Sequence, residues 1–264
     1  MGLNPLWQED VFLTVQALFP QTKLACAEPH YIIDCNSKFF IHLVPLNTEF
    51  KPTDFIALQT DYQNKSFQLV HLWEDVWHTK RTQVLSRIHS FLGLNKSFHG
   101  RKAKVVLLNQ KETADFLTAY HLQGYVKAKY NFGLMAEDQL IAAASFSEAR
   151  PMKSKGVDYQ SAELVRFASK DRLTVVGGLS KLIKHFTKQV QLNDLMTYAD
   201  RDWSLGKGYD KLGFTHSETT EPSFLCVDPT TMMRYFPHRL PATADESKYL
   251  KAFNTGNLKY HLYL

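Results

Sequence analysis

The spacing of apolar residues along the chain changes several times, and each change predicts an element. Val11, Val15 and Leu18 recur at helical intervals up to Phe19-Pro20, and Asn4-Pro5 upstream predicts an N-cap with proline at the first helical position. Tyr31-Ile32-Ile33 and Phe39-Phe40-Ile41-His42-Leu43-Val44 predict two strands, joined as a hairpin by the polar Asp34-Cys35-Asn36-Ser37. Thr53 is expected to cap a helix from 54 to about 65, residues 67–73 form a strongly apolar strand, and 79–92 form a helix stopped by Gly93. The result is an α-β-β-α-β-α unit. The polar, glycine-containing stretch 95–100 is the expected boundary, dividing the chain into domains 1–98 and 99–264.

Beyond it the pattern starts again. A strand is expected at 104–108, then a helix over 110–121 ending near Gly124, and a hairpin of 132–135 with 140–146 about Glu137-Asp138-Gln139. Residues 161–168 alternate charged and apolar, as a strand does. A helix opening at Gly177 and running to about Val190 puts Leu179, Leu182, Ile183 and Phe186 on one face. A strand at 195–199, a short helix at 205–212 and a strand at 224–227 follow. Thr243-Ala244-Asp245-Glu246 reads as a capping box for a last helix to about 253. Strands interleaved with helices place the chain in the α/β (α+β) class.

Composition narrows the function classes. Hydrophobic residues at 44% and aromatics at 13% exclude a disordered chain. No run of about 18 apolar residues predicts a membrane span. The start Met1-Gly2-Leu3-Asn4-Pro5-Leu6 lacks the features of a secretory signal, and Leu6 stands where a myristoylation motif has Ser or Thr, so a cytoplasmic location is expected. Cys26, Cys35 and Cys226 form no CxxC pair, and no HExxH occurs, so neither a disulfide framework nor a sequence-local metal site is expected. The formal charge of +5 is concentrated: between Val76 and Lys111 there is no acid, while Lys80, Arg81, Arg87, Lys96, Arg101, Lys102, Lys104 and Lys111 are basic. Two readings fit this window, a nucleic-acid backbone contact and a solvated helix face with a basic linker.

The strongest chemical signal is Val175-Val176-Gly177-Gly178-Leu179-Ser180-Lys181 between an expected strand and an expected helix. Unpaired N–H groups at a helix N-terminus favour anions, and glycines let a phosphate approach the backbone. A tight turn packing helix on sheet needs the same residues.

With its neighbours this loop resembles a known group. The hairpin, Glu163-Leu164-Val165-Arg166-Phe167, the Val-Gly-Gly-Leu-Ser-Lys loop, and Tyr198-Ala199-Asp200-Arg201-Asp202-Trp203-Ser204 occur in order, followed by Gly206, Gly208, Tyr209 and Leu212-Gly213-Phe214. With His121-Leu122-Gln123-Gly124 upstream, residues 104–264 resemble the GNAT acyltransferase superfamily, in particular Mom-type DNA-modification transferases and the GNAT-like tails of phage homing-endonuclease proteins. The resemblance implies a GNAT-like fold with a mixed sheet. Its cofactor would be acetyl-CoA or a related acyl donor, held at Val176, Gly177, Gly178, Leu179, Ser180, Lys181 and Arg166. Its candidate catalytic residues are Asp200, Tyr209 and Glu163. Each also has a purely structural reading: a core aromatic for Tyr209, a turn cap for Asp200, and a Glu163–Arg166 pair. One departure stands out, because Val175 occupies the position where GNAT enzymes carry Gln or Arg, and Ser180 that of a final Gly or Ala.

The first domain resembles the closing strand and helix of Vsr-like endonucleases, through residues 67–77 and Ser86-Arg87-Ile88. Asp34 matches the first acidic position of that group, but the second falls on His42, so a degenerate, restriction-endonuclease-like core that docks nucleic acid is implied. Retained cleavage would require Glu74 and Asp75 to stand in as metal ligands; the resemblance implies a domain without cleavage. The leading expectation is a transferase that modifies an amine of a nucleic-acid base. In it, DNA would contact Lys80, Arg81, Arg87, Lys96, Arg101, Lys102 and Lys104. The alternatives are a homing-endonuclease-like nuclease whose GNAT-like half only recognises DNA, and a DNA-binding protein without catalysis.

Overall fold

The computed structural model describes residues 7–27 and 29–264; the expected cap at Asn4-Pro5 lies outside them. The elements in chain order are α1 (Trp7–Leu18), β1 (Lys23–Ala27), β2 (His30–Asp34), β3 (Phe39–Val44), α2 (Pro52–Asn64), β4 (Gln68–Trp73), α3 (Glu74–Phe91), β5 (Lys96–His99), β6 (Lys104–Leu107) and α4 (Gln110–Tyr120). They continue with β7 (Tyr130–Ala136), β8 (Gln139–Phe146), β9 (Arg150–Pro151), β10 (Gln160–Ser169), β11 (Leu173–Val176), α5 (Gly178–Thr187), β12 (Asp194–Asp200), α6 (Lys207–Asp210), β13 (Thr215–Thr219), β14 (Phe224–Val227), β15 (Arg234–Tyr235), β16 (Leu250–Phe253) and β17 (Asn257–Tyr263). This is a mixed α/β chain, and no helix among the described residues is long and apolar enough to cross a membrane.

Contacts divide the chain into two compact units, and they do not divide it at 98/99. One runs to Val84 and takes in Ala199–Gly206 and Thr219–Leu258; the other holds Leu85–Tyr198, Lys207–Glu218 and Lys259–Leu264.

In the first unit the sheet order is β1-β2-β3-β4. The first three strands are antiparallel, and β3 pairs in parallel with β4 across α2. The β2–β3 hairpin turns through Ser37 at φ 59, with the Ser37 N–H donating to Asp34 Oδ1 at 2.6 Å and the Phe39 N–H to Asn36 Oδ1 at 2.9 Å. Every residue of β3 is buried, as a strand covered on both faces requires. Val44, Leu46, Phe55 and Trp73 form one core with Leu225, Val227, Ala252 and Phe253 of the small sheet β15-β14-β16. The segment 199–206 joins through Gln59 Nε2, which donates to Arg201 O at 2.8 Å, and through the His71 N–H, which donates to Asp202 O at 2.9 Å.

The β3–β4 register sets His42 opposite His71, and their Nδ1 atoms are 3.0 Å apart. His30 Nδ1 lies 3.2 Å from His42 Nε2. Burial, then the neighbouring imidazoles, holds His42 well below its usual range, and burial pushes His71 down to about 3. Both stay neutral in the fold, whereas the unfolded chain takes up protons near 6.5. Their contribution is therefore complete above pH 6.5 and lost as pH falls below it, for His71 down to about 3, at about 1.4 kcal/mol per pH unit for each imidazole. Asp202 acts oppositely: burial, then Asp200, raises it to about 7, so its contribution is lost as pH rises between 3.8 and 7. Two imidazoles against one carboxyl leave a net loss of stability on acidification. Urea unfolding at pH 7, 6 and 5 is expected to show it; a first unit equally stable at all three would contradict the buried neutral pair.

In the second unit the sheet order is β13-β17-β12-β10-β8-β7-β6. Strands β6, β7, β8 and β10 are antiparallel in turn, and β10 pairs in parallel with β12. The β7–β8 hairpin has Glu137 at φ 49 and Asp138 at φ 57, the left-handed pair of a type I′ turn. Asn109 and Glu112 form a reciprocal capping box at the start of α4. On α5 the apolar face is buried, with Phe186 stacked on Phe146 at 4.3 Å between ring centroids.

Several elements differ from the sequence reading. Pro52 opens α2 and the Lys51 N–H donates to Asp54 Oδ2 at 2.7 Å, so Thr53 lies inside the helix rather than capping it. Helix α3 begins at Glu74, ahead of the expected 79, and bends at Lys80 (φ −133, ψ 27). The expected boundary 95–100 holds β5, which pairs in parallel with β11. The expected helix 205–212 is only the single turn α6. Over 243–253 the expected helix is replaced by a 3-10 turn, Glu246–Lys248, capped by Asp245, and by β16. Pairing with β14 buries Ala252 and Phe253 in the first-unit core, which outweighs the local capping signal.

Candidate functional site

In the second unit the glycine loop joins β11 to α5. Strand β11 ends at Val176, Gly177 takes φ +72 at the N-cap, and α5 begins with Gly178. Only glycine takes that left-handed conformation at little cost. Gly178 is needed for a different reason. A Cβ added at Gly100 would come within 2.9 Å of Gly178 Cα and N, and one added at Gly178 within 2.8 Å of the Val175 side chain. The 3-10 turn Gly100–Lys102 thus packs backbone to backbone on the start of α5. Lys181 locks this contact, since its ammonium donates to Ala103 O at 2.5 Å and Gly100 O at 3.2 Å.

Beside this contact lies a cavity of about 680 Å³. Val105, Val176 and Gly177 contribute to its wall, and His99, Arg101, Ser180, Lys184, His185 and Lys188 supply the polar groups. Lys181, Lys184 and Lys188 recur at helical spacing opposite the buried Leu182, Ile183 and Phe186. The dipole favours an anion at the Gly177 end, while Lys184 and Lys188 add positive charge farther along the cavity wall, in and just beyond the last turn of α5. Of the residues expected to hold the donor, Val176, Gly177, Ser180 and Lys181 line this cavity. Gly178 is buried under it and Leu179 is half-buried. Arg166 is not among the lining residues.

Arg166 belongs to a second group, on β10. That strand pairs with β12 only from Ser161–Asp194 to Glu163–Met196, and its pairing with β8 shifts register between Leu164 and Arg166. Beyond the short ladder, Thr197 Oγ1 donates to Leu164 O at 3.0 Å. The Arg166 guanidinium donates to Val165 O at 2.8 Å and Gly124 O at 3.3 Å, which brings the His121–Gly124 turn to it. Burial pushes the Glu163 carboxyl up, against the opposing charges of Arg166 and Arg150. Burial also raises the Tyr209 hydroxyl, which bonds to Thr197 and feels Arg87 and Arg166. Glu163, Arg166 and Tyr209 are therefore brought together. At the start of the His121–Gly124 turn, burial and then the charges of Arg166 and Arg87 push the His121 imidazole down to about 3. The sequence signal for His121 was the His-Leu-Gln-Gly block, which names no role for the imidazole.

Asp200 lies in the first unit. Its Oδ1 accepts the Asp202 N–H at 3.0 Å, and its charge acts on Asp202 and Arg234. The remaining acidic candidates of that unit have structural partners: Asp34 caps the β2–β3 turn, Glu74 accepts the Leu46 N–H at 3.2 Å, and Asp75 forms a two-pronged ion pair with Arg234. His42 is an interior residue of the imidazole row. Among the described residues no group of three or more His, Cys, Asp or Glu is arranged to hold a metal ion.

The expected nucleic-acid residues separate. Arg81 is committed to Asp10 through two bonds of 2.9 and 3.0 Å and lies over the Trp77 ring, while Arg87 lies over Phe91. Lys80 sits at the α3 bend and is half-buried. Lys96, Arg101, Lys102 and Lys104 are exposed within ten residues of one another in the second unit.

No family model and no curated protein matches the chain. Among solved structures it is similar to a Bacillus subtilis acetyltransferase in complex with CoA, at 16% identity over 62% of this chain and 99% of that one, with a TM-score of 0.39. A GNAT family acetyltransferase from Elizabethkingia anophelis with acetyl-CoA bound is similar over the same shares, at 11% identity and a TM-score of 0.39. Arabidopsis thaliana Naa50, in complex with a bisubstrate analogue, is similar over 62% of this chain and 99% of that one, at 9% identity and a TM-score of 0.40.

Proposed function

We propose that the second unit is a GNAT-like acyltransferase domain that holds a phosphate-bearing acyl donor, acetyl-CoA or a relative, at the start of α5, and that the acceptor is an amine on a nucleic-acid base. The observation that carries this reading is the basic cavity at Gly177. It sets the start of α5, with its helix dipole, beside the cations of Arg101, Lys184 and Lys188, a lining that suits a ligand of at least two phosphates. Such a site works through backbone amides, so Val175 in place of a polar residue leaves its main donors intact.

The end of the β10–β12 ladder at Glu163–Met196 supports a place for the reacting groups. Glu163, with its raised pKa, suits a base that takes the proton from an attacking amine, and the Tyr209 hydroxyl suits a proton donor to the leaving group. Asp200, which already caps the Asp202 N–H and faces Arg234, is the second candidate for the base. The exposed Lys96, Arg101, Lys102 and Lys104 support a nucleic-acid backbone contact. The first unit, which resembles a Vsr-like core with Asp34 used as a turn cap, is read as a docking module.

Calorimetric titration of coenzyme A tests the donor site. Wild-type protein is expected to bind it, and a Lys184→Glu/Lys188→Glu variant to bind at least about tenfold more weakly, since each lost charge-assisted bond is worth roughly 1.5–3 kcal/mol. Affinity unaffected by the two reversals, or no binding by the wild type, sinks the reading. Mass spectrometry of nucleosides from expressing cells tests the acceptor: a new base mass is expected, lost in Glu163→Gln and retained in Asp200→Asn.

A further inference from the structure

We propose that Lys181 is a positioning residue for the donor: it holds the turn Gly100–Lys102 against the start of α5 so that Arg101 reaches the ligand's phosphates, and it does not contact the ligand itself. The inference rests on the donor reading of the cavity at Gly177 and adds to it which wall of that cavity sets affinity.

The cavity has two walls from distant parts of the sequence. One is α5, with Ser180, Lys184 and Lys188; the other is the stretch 99–105, with His99, Arg101 and Val105. The strands on either side of the turn are fixed by pairing, β5 to β11 with His99 opposite Val176, and β6 to β7 with Lys104 opposite Met135. The turn between them belongs to neither ladder, so its contact with α5 is what places Arg101. Two features make that contact. Gly100 lies against backbone, where an added Cβ would come within 2.9 Å of Gly178 Cα and N and 3.1 Å of Val176 O. The Lys181 ammonium donates to Gly100 O at 3.2 Å, Arg101 O at 3.4 Å and Ala103 O at 2.5 Å.

An ammonium has three N–H donors, and here three carbonyls of one short segment take them. Gly100 and Ala103 are buried, where a carbonyl without a partner is costly. A phosphate would have to displace one of these carbonyls to bond to Lys181, whereas Arg101, Lys184 and Lys188 are exposed and meet it directly. Lys181 therefore acts on the ligand through Arg101.

The test is a double-mutant cycle read by calorimetric titration of coenzyme A into the full chain. Arg101→Gln and, separately, Lys181→Met are each expected to weaken binding about tenfold, the loss of one charge-assisted bond. The double variant is expected to lie within about twofold of either single one, because without the lock Arg101 no longer reaches the ligand. Gly100→Ala dislodges the turn with no charge removed. It is expected to weaken binding equally, to leave Arg101→Gln without further effect, and to serve in place of Lys181→Met if that variant does not fold. Hydrogen exchange of the Ala103 N–H, which donates to Gly100 O at 3.1 Å, is expected to quicken in both. Losses that multiply to about a hundredfold in the double variant would make Lys181 a direct ligand and overturn the proposal. Unchanged coenzyme A affinity in Lys181→Met or in Gly100→Ala overturns it as well. Failure of the wild type to bind coenzyme A overturns the donor reading instead; exchange then decides the lock, which faster exchange at Ala103 in Lys181→Met supports and unchanged protection overturns.

Discussion

Replacing Asp194 by alanine is expected to destabilise the second unit by about 3–5 kcal/mol, the cost of breaking a buried pair by removing one partner. The carboxylate is fully buried and accepts from four side chains: Lys155 Nζ at 2.7 Å, Tyr159 OH at 2.8 Å, His261 Nδ1 at 3.2 Å and the Ser161 hydroxyl. Burial works to raise its pKa, but the bonds from Lys155, Ser161 and Tyr159 outweigh this and the net shift is downward. Asp194 thus adds stability above pH 3.8 that is lost as pH falls below it. One carboxylate ties the 150–160 connection, β10, β12 and β17 together, so alanine leaves a lysine and a histidine without their acceptor. Guanidinium unfolding checks the magnitude. Lys155→Met should cost far less, because Lys155 is 32% exposed and its removal leaves three donors on the carboxylate. A loss below about 1 kcal/mol in Asp194→Ala, the range of exposed pairs, would show that the cluster is ornamental.

Gly256→Ala is expected to be comparably damaging to the first unit. Gly256 takes φ +87, and an added Cβ would stand 2.1 Å from Thr220 O and 3.2 Å from Thr220 C. The left-handed conformation costs an L-residue roughly 1–2 kcal/mol, and an overlap with backbone adds about 1–3 kcal/mol because no flexible side chain can yield. The neighbouring bonds, Thr220 N–H to Asn257 O at 2.8 Å and Arg201 N–H to Gly256 O at 3.2 Å, prevent an easy shift. Gly93→Ala is the control: φ is +70, but nothing lies within 4 Å, so only the conformational cost applies. Equal losses in the two variants would mean that the close approach at Thr220 relaxes freely.

These two sites also show how far a sequence reading reaches. Local pattern located the hairpins, because Glu137-Asp138 needs only its own backbone preference and the flanking strands announce themselves by apolar alternation. It located the start of α5, because a glycine pair, a cation row and an apolar face lie within a dozen residues. It failed over 243–253, where a capping box competed with a strand whose partner is 26 residues away in sequence and whose benefit is burial of Phe253. It also divided the chain at a polar stretch, although the first unit is assembled from three separate segments.

The glycine loop, the helical row Lys181, Lys184 and Lys188, and the strand carrying Glu163 and Arg166 are properties of the sequence itself, since the period of a helix or strand is written in neighbouring residues. The meeting of His42 with His71, the four-donor Asp194 cluster, and the bond from Arg166 to Gly124 O are properties of the tertiary structure alone. Periodicity reports which face of an element is buried, but which strand lies opposite, and in what register, depends on loop closure and packing over long sequence separations.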